Sequence, residues 1–315
     1  MESLLYSLNV TVPVFAMIAL GYLLRRTGTI NMDYVHGSNR LTFRVLLPVM
    51  LFNSMRNSDF QTVFDLHFAL LCFLFLLIFP IAVLLIASRF IKDRKKLGSF
   101  VQGTFRGNSA VIGVSVAQNI YGADLGLIPL MLGVAMFMYN TVSTVLLTIC
   151  GGEKLEPRQQ VKNVVKNLLH NQIIWGVFLG LVCGLFRIRF PLIIDKIFNS
   201  IGGVASVVSL IAAGGGFTME SFRSNIGLIF SASAVKLIVM PAASLTVGYL
   251  AGLRGSSLFA LLVMGGVSTA TTSAVMAREL KCDEELAINI LAVTTLLAAF
   301  TLTMWVYLLS SLGLL

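Results

Sequence analysis

The 315-residue chain is 57% hydrophobic and 12% charged, with a mean hydropathy of +0.89. Soluble domains average about 25% charged residues, so this composition excludes an ordinary soluble protein and indicates lipid as the solvent. The net charge of +9 comes from Lys and Arg in short loops between apolar segments, which argues against nucleic acid as a partner. The sequence has no CxxC pair, HExxH, GxSxG or P-loop motif, so we predict neither an enzyme nor a cofactor.

Apolar runs separated by polar breaks predict ten membrane-spanning helices, each about as long as a bilayer is wide. In chain order, these spans are residues 5–24, 38–55, 66–88, 100–120, 125–149, 171–187, 198–217, 225–250, 257–277 and 286–311. The second and fourth spans are the least regular, because both carry internal charge. The predicted fold class is therefore an all-α integral membrane protein, with the lipid bilayer as its partner.

The order of basic residues predicts the orientation of the chain. Arg25 and Arg26 follow the first apolar run and no basic residue precedes it, which is typical of a retained first helix and not of a cleaved signal peptide. With the N-terminus outside, most of the basic loop residues fall on the cytoplasmic side. The positive-inside rule then predicts that both termini are extracytoplasmic.

The longest polar stretch, GGEKLEPRQQVKNVVKN (151–167), separates two halves of five predicted spans each. We predict a first five-helix repeat over residues 1–150, a cytoplasmic connection over 151–170 and a second repeat over 171–315. Because each half has an odd number of spans, two copies of one fold would have opposite orientations in the membrane. The segments 107–126 and 267–286 share a weak similarity that agrees with such an inverted repeat.

Spans four and nine contain dense Gly, Ser and Thr, in the segments GNSAVIGVS (107–115) and MGGVSTATTSAVMA (264–277). Glycine weakens a helix by about 1 kcal/mol relative to alanine, and Ser and Thr offer the backbone alternative hydrogen bonds. Two such segments at matching positions predict discontinuous helices that meet around a substrate. The alternative is that small residues only pack against other helices. We prefer that interpretation for the glycine face of GVFLGLVCG (176–184), as a helix contact or a dimer seam.

Arg106 lies within span four, where a charged residue costs at least about 2.5 kcal/mol. No Asp or Glu lies inside a predicted span to neutralise it, so a carboxylate ligand could bind its guanidinium group. The alternative is that Arg106 extends to the cytoplasmic interface. The same two alternatives, a ligand-binding role and extension to the interface, apply to Arg44 and Lys236. For Lys236 we favour a structural role. Further candidate binding residues are the polar side chains of both clusters: Asn108, Ser109, Ser115, Ser268, Thr271, Thr272 and Ser273.

The sequence does not decide between sodium and a proton as the coupling ion. Hydroxyl groups and backbone carbonyls of spans four and nine could hold sodium. The lack of a carboxylate inside the spans leaves no obvious proton carrier, although either ion could drive transport.

Five segments, taken in order, resemble the auxin efflux carrier family in its bacterial branch of malate/malonate permease-like transporters. They are PVFAMIALGYLLRRTGTI, NRLTFRVLLPVMLFNSM, FRGNSAVIGVSVAQNIYG, AVKLIVMP and ARELKCDEELAINILAVTTLL. The resemblance covers nearly the whole chain. It implies two inverted five-helix repeats, crossed broken helices four and nine, elevator-type alternating access and a location in the plasma (bacterial cytoplasmic) membrane, and it is compatible with a homodimer.

The same resemblance implies a secondary transporter of a small organic anion, a mono- or dicarboxylate, with a polar residue of span two at Asn53. The chain departs from the family where proline is common, at Ser115, Ser268, Ser273 and Val207, although Pro48 and Pro241 are kept. It also lacks the long cytoplasmic loop of the plant auxin exporters, so we do not expect auxin as the substrate. Two alternatives are a membrane sensor that binds a similar ligand without moving it, and a sodium-coupled symporter of the bile-acid type.

Overall fold

The computed structural model describes residues 16–57, 65–109, 127–152, 159, 162, 165, 166 and 169–314. Within these ranges the regular secondary structure is helical, apart from one isolated antiparallel bridge. The helices of the first half are α1 (16–26), α2 (Met32–Leu41), α3 (Leu47–Arg56), α4 (Leu66–Ala87), α5 (Arg94–Phe105) and α6 (Ile128–Gly151). A π-helical turn at Thr42–Leu46 joins α2 to α3.

The second half contains nine helices within the described ranges. They are α7 (Gln172–Leu185), α8 (Leu192–Gly203), α9 (Ala205–Gly216), α10 (Met219–Ser224), α11 (Ile226–Ala234), α12 (Met240–Leu250), α13 (Ser256–Gly266), α14 (Thr272–Glu279) and α15 (Glu284–Ser311). A second π-helical turn, Val235–Val239, joins α11 to α12. Polar side chains fix several helix starts: Asp65, Asp93 and Asp283 each accept a hydrogen bond from a backbone N–H in the first turn of α4, α5 and α15.

Four helical stretches are long and apolar enough to cross a membrane: Leu66–Ala87, Leu130–Gly151, Leu192–Gly216 and Ile226–Leu250. The bent helix α15 is a fifth candidate. These five coincide with predicted spans three, five, seven, eight and ten. By length and composition the described chain is therefore an all-helical protein with several membrane spans, and the full number of ten spans stays a prediction.

The helices pack in two groups, each of which draws on both halves of the sequence. In the first, α3 packs along α7 and α8, and α2 packs along α9; we call these five helices the α3 group. In the second, α4 and α5 pack against α6, α12 packs against α13, and α5, α11 and α14 pack against α15; we call α4–α6 and α11–α15 the α5 group. The two repeats and their boundaries at 150 and 171 stay a prediction.

The glycine face of α7 lies against α3 of the same chain. A Cβ atom added to Gly176 would come within 2.9 Å of Pro48 Cα, and one added to Gly180 within 2.9 Å of Phe52 Cα. The close approach of α3 and α7 therefore requires glycine at both positions. This confirms the interpretation of the face as a helix contact. Because α3 covers the face, it offers no dimer seam, and the homodimer stays a prediction that depends on the resemblance alone.

Candidate functional site

Two interrupted helices meet in the α5 group. Helix α5 ends at Phe105, where the backbone becomes extended at Arg106. Helix α13 ends at Gly266, and α14 begins only at Thr272. The two breaks pair as an antiparallel bridge between Gly107 and Thr269. Asn108 N donates to Ser268 O at 2.9 Å, and Ala270 N donates to Arg106 O at 3.2 Å.

The predicted break in span nine and its pairing with span four are thus confirmed. The rest of predicted span four, residues 110–120, lies outside the described residues. A Cβ atom on Gly107 would come within 2.9 Å of Val267 Cγ2, so the absence of a side chain at this position lets the two extended segments approach each other.

Side chains bind the carbonyl groups that the broken helices leave free. Thr269 Oγ1 donates to Gly103 O of α5 at 2.7 Å. Tyr139 Oη of α6 donates to Met264 O of α13 at 2.8 Å. Because the last carbonyls of a helix have no intrahelical partner, these contacts stabilise the interruption.

Arg106 is enclosed at this crossing, with only 3% of its surface exposed. Its Nη2 donates to Asn140 Oδ1 at 2.9 Å and to Thr272 Oγ1 at 2.6 Å. Its Nη1 lies 2.8 Å from the sulfur of Met276 and 3.4 Å from the carbonyl oxygen of Tyr139. These acceptors are neutral, and no carboxylate within the described ranges forms a salt bridge with Arg106. The guanidinium Nε is buried without a partner in the same part of the chain.

This burial rules out the alternative in which Arg106 extends to the interface. By contrast, the side chain of Arg44 is exposed on the surface of the protein. Lys236 is fully buried.

A cavity of about 60 Å³ lies beside the guanidinium group of Arg106. Since one water needs about 10–15 Å³ by this measure, the cavity has room for a few waters or for the polar end of a small molecule. The α5 group supplies its polar wall, and the α3 group adds Met50, Leu51 and, from α9, Ser206. The cavity therefore lies at the boundary between the two groups.

Some of the predicted binding residues line this cavity together, namely Arg106, Asn108, Ser109, Thr271 and Thr272. Ser268 and Ser273 are buried at the crossing but are not in its lining, and their hydroxyl groups have no hydrogen-bond partner within the described structure. Asn53, which the resemblance implies for this site, is not in the lining of the cavity: its Nδ2 donates to Asn199 Oδ1 of α8 at 3.3 Å, and its role in binding stays a prediction. Ser115 lies outside the described residues.

Sequence reasoning misses Tyr139 and Asn140 of α6, which contact Arg106 directly. The available signal is a Tyr–Asn pair in the middle of the apolar run MLGVAMFMYNTV (131–142). As for metals, no cluster of three or more His, Cys, Asp or Glu suited to an ion occurs among the residues that the structure describes. A sodium site built from hydroxyl and carbonyl oxygens stays a prediction.

Comparison with known proteins decides the family. The family model for membrane transport proteins matches residues 6–306 of the chain. The chain belongs to this family. The resemblance to auxin efflux carriers is thereby confirmed, and the apolar helices agree with an integral membrane transporter.

Relatives from two different organisms align with this chain over almost their whole length. An uncharacterised transporter of Methanothermobacter thermautotrophicus is 23% identical over 309 residues, which cover 95% of this chain and 97% of the relative. The uncharacterised transporter YfdV of Escherichia coli is 22% identical over 302 residues, which cover 94% of this chain and 95% of the relative. Their names indicate transport and specify no substrate.

Proposed function

We propose that this family member is a secondary transporter of a small organic anion, a mono- or dicarboxylate, and that Arg106 binds its carboxylate group. The observation that carries the proposal is the buried guanidinium beside the cavity, which within the described structure meets neutral acceptors only. A buried charge without an opposite charge is costly. An anion that enters the cavity would remove that cost, so the site favours anions over neutral molecules.

The donors around the cavity suit a carboxylate. A guanidinium group donates two parallel hydrogen bonds to a carboxylate, and the Nε of Arg106 has an N–H without a partner in the described residues. Asn108 and Thr271 line the same cavity and would orient the rest of the ligand. The volume of about 60 Å³ favours a compact molecule.

We further propose elevator-type alternating access in the plasma membrane, with both termini extracytoplasmic. The position of the cavity supports this mechanism, because the polar wall belongs to the α5 group while the α3 group contributes chiefly Met50 and Leu51. A displacement of the α5 group along this surface would carry Arg106 and its ligand together. The distribution of basic loop residues supports the orientation.

Thermal unfolding of the purified protein with malonate tests the binding site. Malonate at 100 times its dissociation constant adds about 2.7 kcal/mol to stability, so we expect it to raise the Tm of the wild type. In Arg106→Gln, loss of the buried ionic contact costs at least about 2 kcal/mol, which weakens binding about 30-fold or more. Arg44→Gln, which removes an exposed arginine, is the matched control and should respond as the wild type does.

Two results would contradict the proposal. Equal stabilisation of wild type and Arg106→Gln by malonate would show that Arg106 does not bind the anion. Binding without exchange of labelled malonate across proteoliposomes would favour a sensor over a transporter.

A further inference from the structure

Lys236 is a second buried basic residue, and the cavity beside Arg106 does not include it. It lies in the π-helical turn Val235–Val239, near the middle of the candidate span Ile226–Leu250. Its side chain is 0% exposed. Within the part of the chain that the structure describes, no carboxylate forms a salt bridge with it. A buried, charged side chain in a membrane span is rare, and it usually has a function.

The ammonium group of Lys236 lies against the end of the broken helix α13. Its Nζ donates to Gly265 O at 2.9 Å, and it lies 3.3 Å from the sulfur of Met240. Gly265 belongs to the last turn of α13, immediately before the crossing. A Cβ atom on Gly265 would come within 3.0 Å of Pro241 Cα, so glycine allows α12 and α13 to approach closely enough for this hydrogen bond.

The neighbouring carbonyls at this helix end also accept hydrogen bonds from side chains of other spans. Val263 O accepts a hydrogen bond from Ser109 Oγ at 3.4 Å, and Met264 O accepts one from Tyr139 Oη at 2.8 Å. Three different spans thus supply a donor to three successive carbonyls of α13, and only Lys236 supplies a charge. The C-terminus of a helix carries a partial negative charge of about half an electron. In transporters with broken helices, such carbonyl ends coordinate coupling cations such as sodium.

We propose that Lys236 is a covalently attached cation that takes the place of a sodium ion at the C-terminal end of α13. This proposal adds to the proposed transport function, and the role of Lys236 in transport rests on that function. The ammonium group supplies the positive charge that stabilises the broken helix and the crossing. Stability and anion binding of the wild type then do not require sodium. Removal of the lysine side chain leaves a space beside Gly265 O, next in the chain to the carbonyls of Val263 and Met264, and we expect sodium to enter it.

The test compares thermal unfolding in sodium chloride and in choline chloride of equal ionic strength, without any carboxylate. The wild type should have the same Tm in both salts. Lys236→Ala, which vacates the space, should have a lower Tm in choline chloride, and sodium chloride should raise it. Lys236→Met fills the space without a charge, so its Tm should be low in both salts. Lys196→Ala removes an exposed lysine and should behave as the wild type.

Three results would overturn the proposal: a sodium-specific rise in the Tm of the wild type, equal Tm values of Lys236→Ala in the two salts, or failure to recover Lys236→Ala in either salt. A variant that unfolds only when sodium is removed gives the expected result in its strongest form.

A second measurement separates this proposal from the transport proposal. The dissociation constant of malonate for the wild type should be unchanged between the two salts. Sodium-dependent malonate binding would overturn the role of Lys236 and leave the anion site intact. Absence of malonate binding would remove the proposed substrate class, while the result with Lys236→Ala would still stand.

Discussion

At the scale of single residues, the proposed function depends on the neutral acceptors that surround Arg106 within the described structure. Asn140 Oδ1 accepts from Arg106 Nη2 at 2.9 Å, and Asn140 Nδ2 donates to Met136 O at 2.7 Å. Asn140 thus positions the guanidinium group without neutralising it. Replacement of that amide by a carboxylate of the same size would supply an internal counter-ion.

We therefore predict that Asn140→Asp raises the Tm of the ligand-free protein and weakens malonate binding by about tenfold or more, since about 1.4 kcal/mol of lost attraction suffices. The measurement is Tm against malonate concentration. Asn140→Ala keeps the charge of Arg106 uncompensated and should still respond to malonate. If Asn140→Asp binds malonate with the same affinity as the wild type, binding of the anion does not depend on the charge of Arg106.

The sequence could reveal Arg106 because a charge within an apolar run is rare and costly. It could not reveal Asn140 or Tyr139, since a single polar pair in a membrane helix does not show which neighbour it faces. Asn53 was assigned by resemblance, and its role stays a prediction; the sequence could not show that α3 directs its Nδ2 toward Asn199. Side-chain direction depends on helix packing, and sequence spacing alone does not give it.

At the scale of helices, composition predicts the long apolar spans and also one interruption. Dense Gly, Ser and Thr located the break between α13 and α14. The π-helical turns at Thr42–Leu46 and Val235–Val239 have no such cluster of small residues. Each carries one basic residue, Arg44 or Lys236, and is followed by a proline in the first turn of the next helix. The glycine face of α7 was recognised as a packing surface, but only the fold shows that its partner is α3.

We predict that Gly176→Ala destabilises the protein by about 1–3 kcal/mol, because the added methyl group overlaps the backbone of α3 at Pro48. Gly227→Ala is the matched control: it lies in a helix, and no atom lies within 4 Å of the added Cβ, so it should be neutral or raise stability by up to about 1 kcal/mol. Thermal unfolding measures both. Equal Tm values would show that α3 and α7 tolerate a wider separation.

At the scale of the whole molecule, the α3 and α5 groups combine helices that are distant in the sequence. The hydrophobic pattern places spans one after another and does not say which spans pack together, so the division into groups emerges only from long-range contacts. A few polar contacts connect the groups. Asn39 Nδ2 of α2 donates to Glu284 Oε1 at 2.8 Å, and Asn171 Nδ2, just before α7, donates to Thr144 Oγ1 of α6 at 3.0 Å.

If the α5 group moves against the α3 group, a covalent link across the Thr144–Asn171 contact must stop transport. We predict that Thr144→Cys with Asn171→Cys, joined by a short methanethiosulfonate cross-linker, loses counterflow of labelled malonate at least tenfold, and that reduction restores it. The four native cysteines, Cys72, Cys150, Cys183 and Cys282, are first replaced by alanine. The rise in Tm with malonate should persist, because the cavity stays intact.

The matched control places the same link inside one group, at Arg56→Cys with Asp195→Cys, whose native side chains form a salt bridge between α3 and α8. Because α3 and α8 would move together, this link should leave counterflow unchanged. Unchanged counterflow with the Thr144–Asn171 link would mean that the α3 and α5 groups do not move relative to each other at this contact during transport. The ligand would then have to cross by rearrangement within the α5 group, and the boundary position of the cavity would need another explanation.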